Sequence, residues 1–396
     1  MKTIIGNGQI ITPRGILPNG SILLDNGQIE AISDSDIKMN DADFIDAAGH
    51  YISPGFIDLH VHGGGGYDFM DSTEEAFIKV AELHLCYGTT AMLPTTLTGD
   101  KESMRKVLSC YEKAKDLNTK GATFLGVHIE GPYFSMKHRG AQDPRYIRNP
   151  DPEEYHEILQ NHSCILRWSI APELPGAIEF GKLLSEKGII ASIAHTDALY
   201  DDIEKAVANG YTMVTHLYSA MNGVIRKNAF RYAGTVEAAY LIDALDVEII
   251  ADGKHLPVPL LQLIYKIKGS GKIALITDAI RAAGTSLTKT VIGSADNGLK
   301  VIIEDGVAKL PDRTSFAGSI ATANQLVRVM WKQAGIPLAE VIKMMSTTPA
   351  RIAHVQNSKG SLETGKEGDI VIFNENVDVK YVFKNGRLVF DSALHP

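Results

Sequence analysis

The run Tyr51-Ile52-Ser53-Pro54-Gly55-Phe56-Ile57-Asp58-Leu59-His60-Val61-His62, followed at once by Gly63 to Gly66, constrains this chain more than any other segment. Its apolar, partly β-branched composition predicts a short buried strand. Residues two apart on a strand point to the same side, so His60 and His62 project together from its C-terminal end. The glycines open space there. Two imidazoles side by side form half of a metal site. Taken alone, the pair also fits an ordinary polar patch; the residues further along decide between the two.

The middle of the chain, roughly 54 to 359, alternates strand-like and helix-like stretches. Strands are predicted at Ala91–Thr95, Thr123–Ile129, Leu166–Ala171, Ile189–His195, Met213–Leu217, Val247–Ala251 and Ile273–Thr277. Amphipathic helices lie between and after them, as at Ala323–Ala334, where Leu326, Val327, Met330, Trp331 and Ala334 share a face. This alternation favours an α/β fold with a parallel sheet or a (β/α) barrel. Both ends of the chain instead carry short β runs around Asn26-Gly27 and Asn385-Gly386, which are hairpin signals. Residues 1–53 and 360–396 are expected to pair into one small β domain, leaving 54–359 as the barrel.

With 396 residues, 44% hydrophobic and 22% charged, the chain has room for a large barrel plus an accessory domain. A net charge of −8 without Lys/Arg blocks argues against a nucleic-acid partner. It leaves open a small anionic substrate, which needs only local positive charge. Cys86, Cys110 and Cys164 are scattered, so neither a disulfide framework nor a zinc–thiolate knot is expected. No apolar run has membrane length, and the start of the chain lacks an apolar leader; a cytoplasmic protein is expected.

Metal-capable residues recur at the C-terminal ends of the predicted strands, the edge where barrels place their active sites. His60 and His62 end the first. Glu130 runs into Gly131-Pro132, His195 into Thr196-Asp197, His216 follows Thr212–Thr215, and Asp278 runs into Ala279. Glu130 or Asp278 alone could be a turn or helix cap, but recurrence at five strand ends points to one shared site. One carboxylate with two imidazoles suits Zn²⁺ with an open coordination position. His60 and His62 would complete a second, adjacent metal site, with His128 in support. A bound divalent cation lowers the pKa of its water from about 15.7 to roughly 7. Asp278 is the expected proton acceptor and donor, and His255 a donor to the carbonyl oxygen. His84, His156, His162, His354 and His395 have no strand-end context and are expected to be solvated or structural.

The motifs Pro54–Gly63, His128–Pro132, Ala194–Ala198, Thr215–Met221, Ile250–His255, Thr277–Ala279 and Phe316–Ser319 run in one order across most of the chain. In this the chain resembles the amidohydrolase superfamily, and within it the N-acetylglucosamine-6-phosphate deacetylase family. The resemblance implies a (β/α)₈ TIM-like barrel with a β-sandwich built from both termini. It implies Glu130, His195 and His216 as primary metal ligands and Asp278 as the catalytic acid/base. The His60/His62 pair places the chain with the two-metal branch; the cation is expected to be divalent, zinc first, with iron or manganese as alternatives. Substrate contacts are implied at Ala141, Gln142, Ser219, Ala220, Arg226, Lys227, Asp252, His255, Phe316, Ala317 and Gly318. Arginine suits phosphate because its planar fork makes two parallel charge-assisted bonds; the family's arginine reaches a neighbouring subunit, which implies a homodimer. The chain departs from the pattern at Gln142, where some members carry His, at Ser219, usually Asn, and in the length of the Asn222–Tyr232 loop. The implied reaction is hydrolysis of the acetamide of N-acetyl-D-glucosamine 6-phosphate. N-acetylgalactosamine 6-phosphate, an N-acyl amino acid, or a silent sugar-phosphate-binding role are the alternatives.

Overall fold

The computed structural model describes residues 2–394, so His395 lies outside the described residues. Parallel strands Val127–Glu130, Ile165–Ile170, Ile190–Ile193, Tyr211–Val214, Asp246–Ile250 and Ile273–Ile276 form one sheet in that order. Phe56–Val61, Thr89–Pro94 and Thr123–Phe124 form a second parallel sheet. Parallel bridges join the two: Thr95 meets His128, and Val61 meets Ala279. The sheet therefore curls until its first and last strands touch. The strands are almost wholly buried and read as continuous apolar runs, as expected where helices cover a parallel sheet. Helices such as Glu74–Cys86, Lys101–Leu117 and Ala177–Glu186 return the chain between strands. Their first turns are fixed locally: Thr73 accepts from Ala76 N–H and Asp100 from Ser103 N–H.

Both ends of the chain share a separate eight-stranded sheet. Its order runs Arg387–Asp391, Val379–Lys384, Ile370–Phe373, Tyr51–Pro54, Lys2–Thr12, Gly15–Asp25, Gln28–Ser33, with Ala42–Asp46 paired beside Lys2–Gly6. The Asn26-Gly27 and Asn385-Gly386 turns both have positive φ at their two central residues, the twist that suits a two-residue hairpin. They also pack on each other: a Cβ on Gly386 would sit 2.9 Å from Gly27 Cα. This sheet has its own core, including Ile5, Ile22, Ile52, Ile370, Ile372 and Phe383.

Three elements differ from the sequence expectation. The Tyr51–His62 run is two strands, not one: Tyr51–Pro54 belongs to the terminal sheet, and Phe56–Val61 to the parallel one. Gly55 is the hinge, and its N–H donates to Asp369 O at 2.8 Å. The Thr123–Ile129 stretch breaks at Gly126, where φ is 151°, between Thr123–Phe124 and Val127–Glu130. The Ala323–Ala334 helix is α only to Arg328, then widens: Ala334 N–H donates to Val329 O, five residues back. Leu326, Val327, Met330 and Ala334 are buried there as expected, while half-buried Trp331 meets Tyr51 edge-on at 5.5 Å.

The hinge has no room for a side chain. A Cβ on Gly55 would lie 2.0 Å from Thr90 Oγ1 and 2.8 Å from Thr90 Cβ. Gly55→Ala is expected to cost about 1–3 kcal/mol from overpacking, read as a lower urea midpoint at unchanged m-value.

Candidate active site

The sheet gathers six side chains from five strand ends. Glu130 is central. Its Oε1 lies 3.1 Å from His216 Nε2, 3.4 Å from His195 Nε2 and 3.5 Å from His60 Nε2; its Oε2 lies 3.5 Å from His62 Nε2. Asp278 Oδ1 sits 3.1 Å from His62 Nε2 and 3.5 Å from His60 Nε2. The two imidazoles of the first strand face each other, Nε2 to Nε2, at 3.1 Å. Every one of these residues is buried.

The backbone aims them. His195, His216 and Asp278 each stand just past a strand and each has positive φ, at 46°, 29° and 47°. Left-handed backbone at a non-glycine residue costs about 1–3 kcal/mol and tends to mark functional sites. Hydrogen bonds hold the bends: Asp278 N–H donates to His60 O at 2.9 Å, and Ser319 N–H to Asp278 O at 2.7 Å. The ring tautomers are fixed too. His62 Nδ1 donates to Thr95 O at 3.2 Å and His195 Nδ1 to His138 O at 2.9 Å. In the neutral rings this leaves both Nε2 lone pairs facing the cluster.

A set of lone pairs converging on carboxylates fits a divalent cation. Two groups have ligand atoms mutually within 4.8 Å: Glu130 with His195 and His216, and Glu130 with His60 and His62. The field points the same way. Burial opposes charge on His62, yet Asp278, Glu130 and Asp68 raise it to about 9. Burial likewise opposes ionisation of Glu130, but His60, His195 and His216 hold it well below the usual carboxylate range. Asp278 is lowered as well, by His60 and His62 against the effect of burial, and so stands as a carboxylate able to accept a proton.

The cluster opens into a cavity of about 320 Å³. Of the residues expected to meet substrate, Ala141, Gln142, Ser219, Ala220, His255, Phe316 and Gly318 line it. Asp252 stands behind: it accepts from His255 Nδ1 at 2.8 Å and from the N–H groups of Lys254 and His255, each at 2.8 Å. Ala317 is buried beside the wall. Gln142 is tied to the cluster, with Nε2 donating to Glu130 Oε2 at 2.6 Å and Oε1 accepting from Thr98 N–H at 2.9 Å. Arg226 and Lys227 lie outside the cavity, on the exposed hairpin of Ile225–Lys227 and Phe230–Tyr232. Leu97, Gly140, Tyr218, Ile292 and Ser315 complete the lining; of these only Tyr218, within the Thr215–Met221 motif, carried a signal in the sequence.

The remaining histidines divide as their context suggested. His84 is buried and donates from Nε2 to Gly63 O at 3.0 Å, bracing the glycine loop. His128 meets Ser169 Oγ at 2.7 Å and packs edge-on against His60 at 4.7 Å. Sequence reasoning passed over Glu248 and Arg167, both fully buried beneath His60. The signal was present: each is a charge in the interior of a buried strand, flanked on both sides by apolar residues.

Comparison with known proteins agrees with this geometry. A family model described as "Amidohydrolase family" matches residues 51–389. An N-acetylglucosamine-6-phosphate deacetylase of Vibrio furnissii is 32% identical over 94% of this chain and 91% of its own. An N-acetylgalactosamine-6-phosphate deacetylase of Escherichia coli O157:H7 is 28% identical over 98% of this chain and 99% of its own. The crystal structure of N-acetylglucosamine-6-phosphate deacetylase from Pasteurella multocida superposes with a TM-score of 0.91 at 30% identity, covering 98% of this chain and 99% of that one. The chain therefore belongs to the amidohydrolase family, within the N-acetylglucosamine-6-phosphate deacetylases.

Proposed function

We propose that this enzyme hydrolyses the acetamide of N-acetyl-D-glucosamine 6-phosphate to D-glucosamine 6-phosphate and acetate. One observation carries the reading: Glu130, His60, His62, His195, His216 and Asp278 converge in a buried cluster that opens into a sugar-sized cavity. Their fold setting reads as a (β/α)₈ barrel over 54–359, with residues 1–53 and 360–396 as the β-sandwich domain. The proposed cation is zinc, with Glu130, His195 and His216 as primary ligands and His60 and His62 as a second half-site. When bound, it supplies Lewis acidity and a more acidic water. Asp278 accepts the attacking water's proton and passes it to the departing nitrogen. His255 is the proposed donor to the carbonyl oxygen, through Nε2 of the doubly protonated ring, the form in which both ring nitrogens donate. Asp252 grips its Nδ1, which fixes the ring where it lines the cavity. Gln142, held between Glu130 and Thr98, orients that carboxylate.

The phosphate needs positive charge, and no lysine or arginine lines this cavity among the described residues. Arg226 and Lys227 supply it best from a second copy, which makes the working unit a homodimer, in keeping with the family resemblance. Their hairpin also exposes Phe230 and Tyr232, apolar surface suited to such an interface. A cytoplasmic location follows the same reading; no helix is long and apolar enough to cross a membrane among the described residues.

Acetate release should be fast with N-acetylglucosamine 6-phosphate, and slower with N-acetylgalactosamine 6-phosphate and N-acyl amino acids, in side-by-side kinetics. A reversed order would transfer the assignment to the other substrate. Asp278→Asn should lower kcat by about 10²–10⁴; full activity in this variant would reject the proton-transfer role. Chelation should lower the melting temperature and zinc restore it. Binding only the folded state stabilises by about 2.7 kcal/mol at 100-fold excess over Kd, and a scan insensitive to both treatments would count against the metal site. Arg226→Ala and Lys227→Ala should raise KM for the phosphorylated sugar with kcat little changed. Unchanged KM in both would move the phosphate contact elsewhere.

A further inference from the structure

A charged pair that the reaction above does not use lies beneath the cluster. Glu248, on Asp246–Ile250, and Arg167, on Ile165–Ile170, are fully buried. Arg167 grips both oxygens of Glu248, through Nη1 to Oε1 and through Nη2 to Oε2 at 2.7 Å. Nη2 also donates to Thr215 Oγ1 at 2.7 Å and Ser192 Oγ at 3.1 Å. Two strands separate Arg167 from Glu248 in the sheet, so the pair spans its concave interior. Apolar groups of equal volume there would often be as stable or more so. Stability alone does not account for two buried charges.

What the pair touches does. Glu248 Oε2 lies 3.5 Å from Nδ1 of His60, while Nε2 of the same ring faces Glu130, His62 and Asp278. His62 and His195 each give their Nδ1 proton to a backbone carbonyl. His60 Nδ1 is buried with no hydrogen-bond partner among the described residues, and Glu248 is the acceptor it faces. We infer that Glu248, clamped by Arg167, is the positioning residue for His60: it keeps the ring proton on Nδ1 and the Nε2 lone pair aimed at the cation site. The inference rests on the reading that these residues hold a divalent ion. Such outer partners of metal-ligating histidines fix tautomer and ring orientation and typically govern 10–100-fold in metal affinity.

The test is zinc affinity by chelator competition, with melting of the metal-free protein measured alongside. Glu248→Gln keeps the volume and is expected to bind zinc about 10–100-fold more weakly. The metal-free melting temperature should fall, because Glu248→Gln leaves the buried Arg167 charge unpaired; the affinity is therefore read on folded protein below that transition, where a purely structural role would leave it unchanged. The paired change Arg167→Met with Glu248→Leu should give a similar loss without leaving an unpaired charge; if it does not fold, Glu248→Gln decides alone. In a His60→Ala background, Glu248→Gln should have no further effect, because it acts through that ring. Unaltered affinity in Glu248→Gln, or an equal loss with His60 absent, overturns the inference while leaving the functional reading intact. Failure of the unaltered chain to bind zinc overturns both.

Discussion

Glu130 is the interaction on which the rest of the site depends. One carboxylate has the Nε2 atoms of four histidines, drawn from three strands, within 3.5 Å. A buried carboxylate is costly unless matched by positive charge and hydrogen bonds. The match here is partly supplied by Gln142, whose Nε2 donates to Glu130 Oε2. The remainder falls to whatever charge sits between the imidazoles. The same geometry that makes Glu130 expensive as a bare carboxylate would suit it to bridge the two proposed cation positions.

Holding such a bridge requires strand ends fixed to within a fraction of an ångström. The backbone ladder continues past the strands to do this. His62 and Gly63 N–H both donate to Ala279 O, at 2.9 and 2.8 Å, Thr96 N–H to His128 O at 3.0 Å, and Leu217 N–H to Glu248 O at 2.8 Å. Each bond couples a ligand-bearing end to its neighbour. Displacing one ligand would therefore mean breaking backbone bonds around the rim, rather than rotating a single side chain.

The proposed ligands were legible in the sequence because each is a polar residue closing an apolar, β-branched run, a pattern with period two and a clear terminus. Asn26-Gly27 and Asn385-Gly386 were legible for a similar reason: their turn requires positive φ, and few other pairs allow it. The hinge at Gly55 was not legible. The Tyr51–Val61 run is largely apolar on both sides of the glycine, and the break shows only in the pairing of its halves with different sheets and in the contact with Thr90, distant along the chain. The substrate wall was legible only through family resemblance, because Ser219, Ala220 and Phe316 carry no chemistry that spacing reveals. Arg167 and Glu248 were overlooked because a strand-end argument looks at strand ends. Their residue types, in the middle of buried strands, already required a partner across the interior.

The charge balance finally bears on how an acidic chain attracts an anion. The molecule carries a net −8, and the cavity itself is lined by the carboxylates of Glu130 and Asp278. A phosphate approaching that surface is repelled beyond the Debye length of about 8 Å only weakly; near the cavity the local sign decides. One divalent cation among neutral imidazoles would cancel the two carboxylates, and a second would reverse the sign. On the proposed reading, a loaded cluster would set the local field that admits the substrate, and the distant phosphate group would be the part of the ligand that needs a cationic side chain of its own.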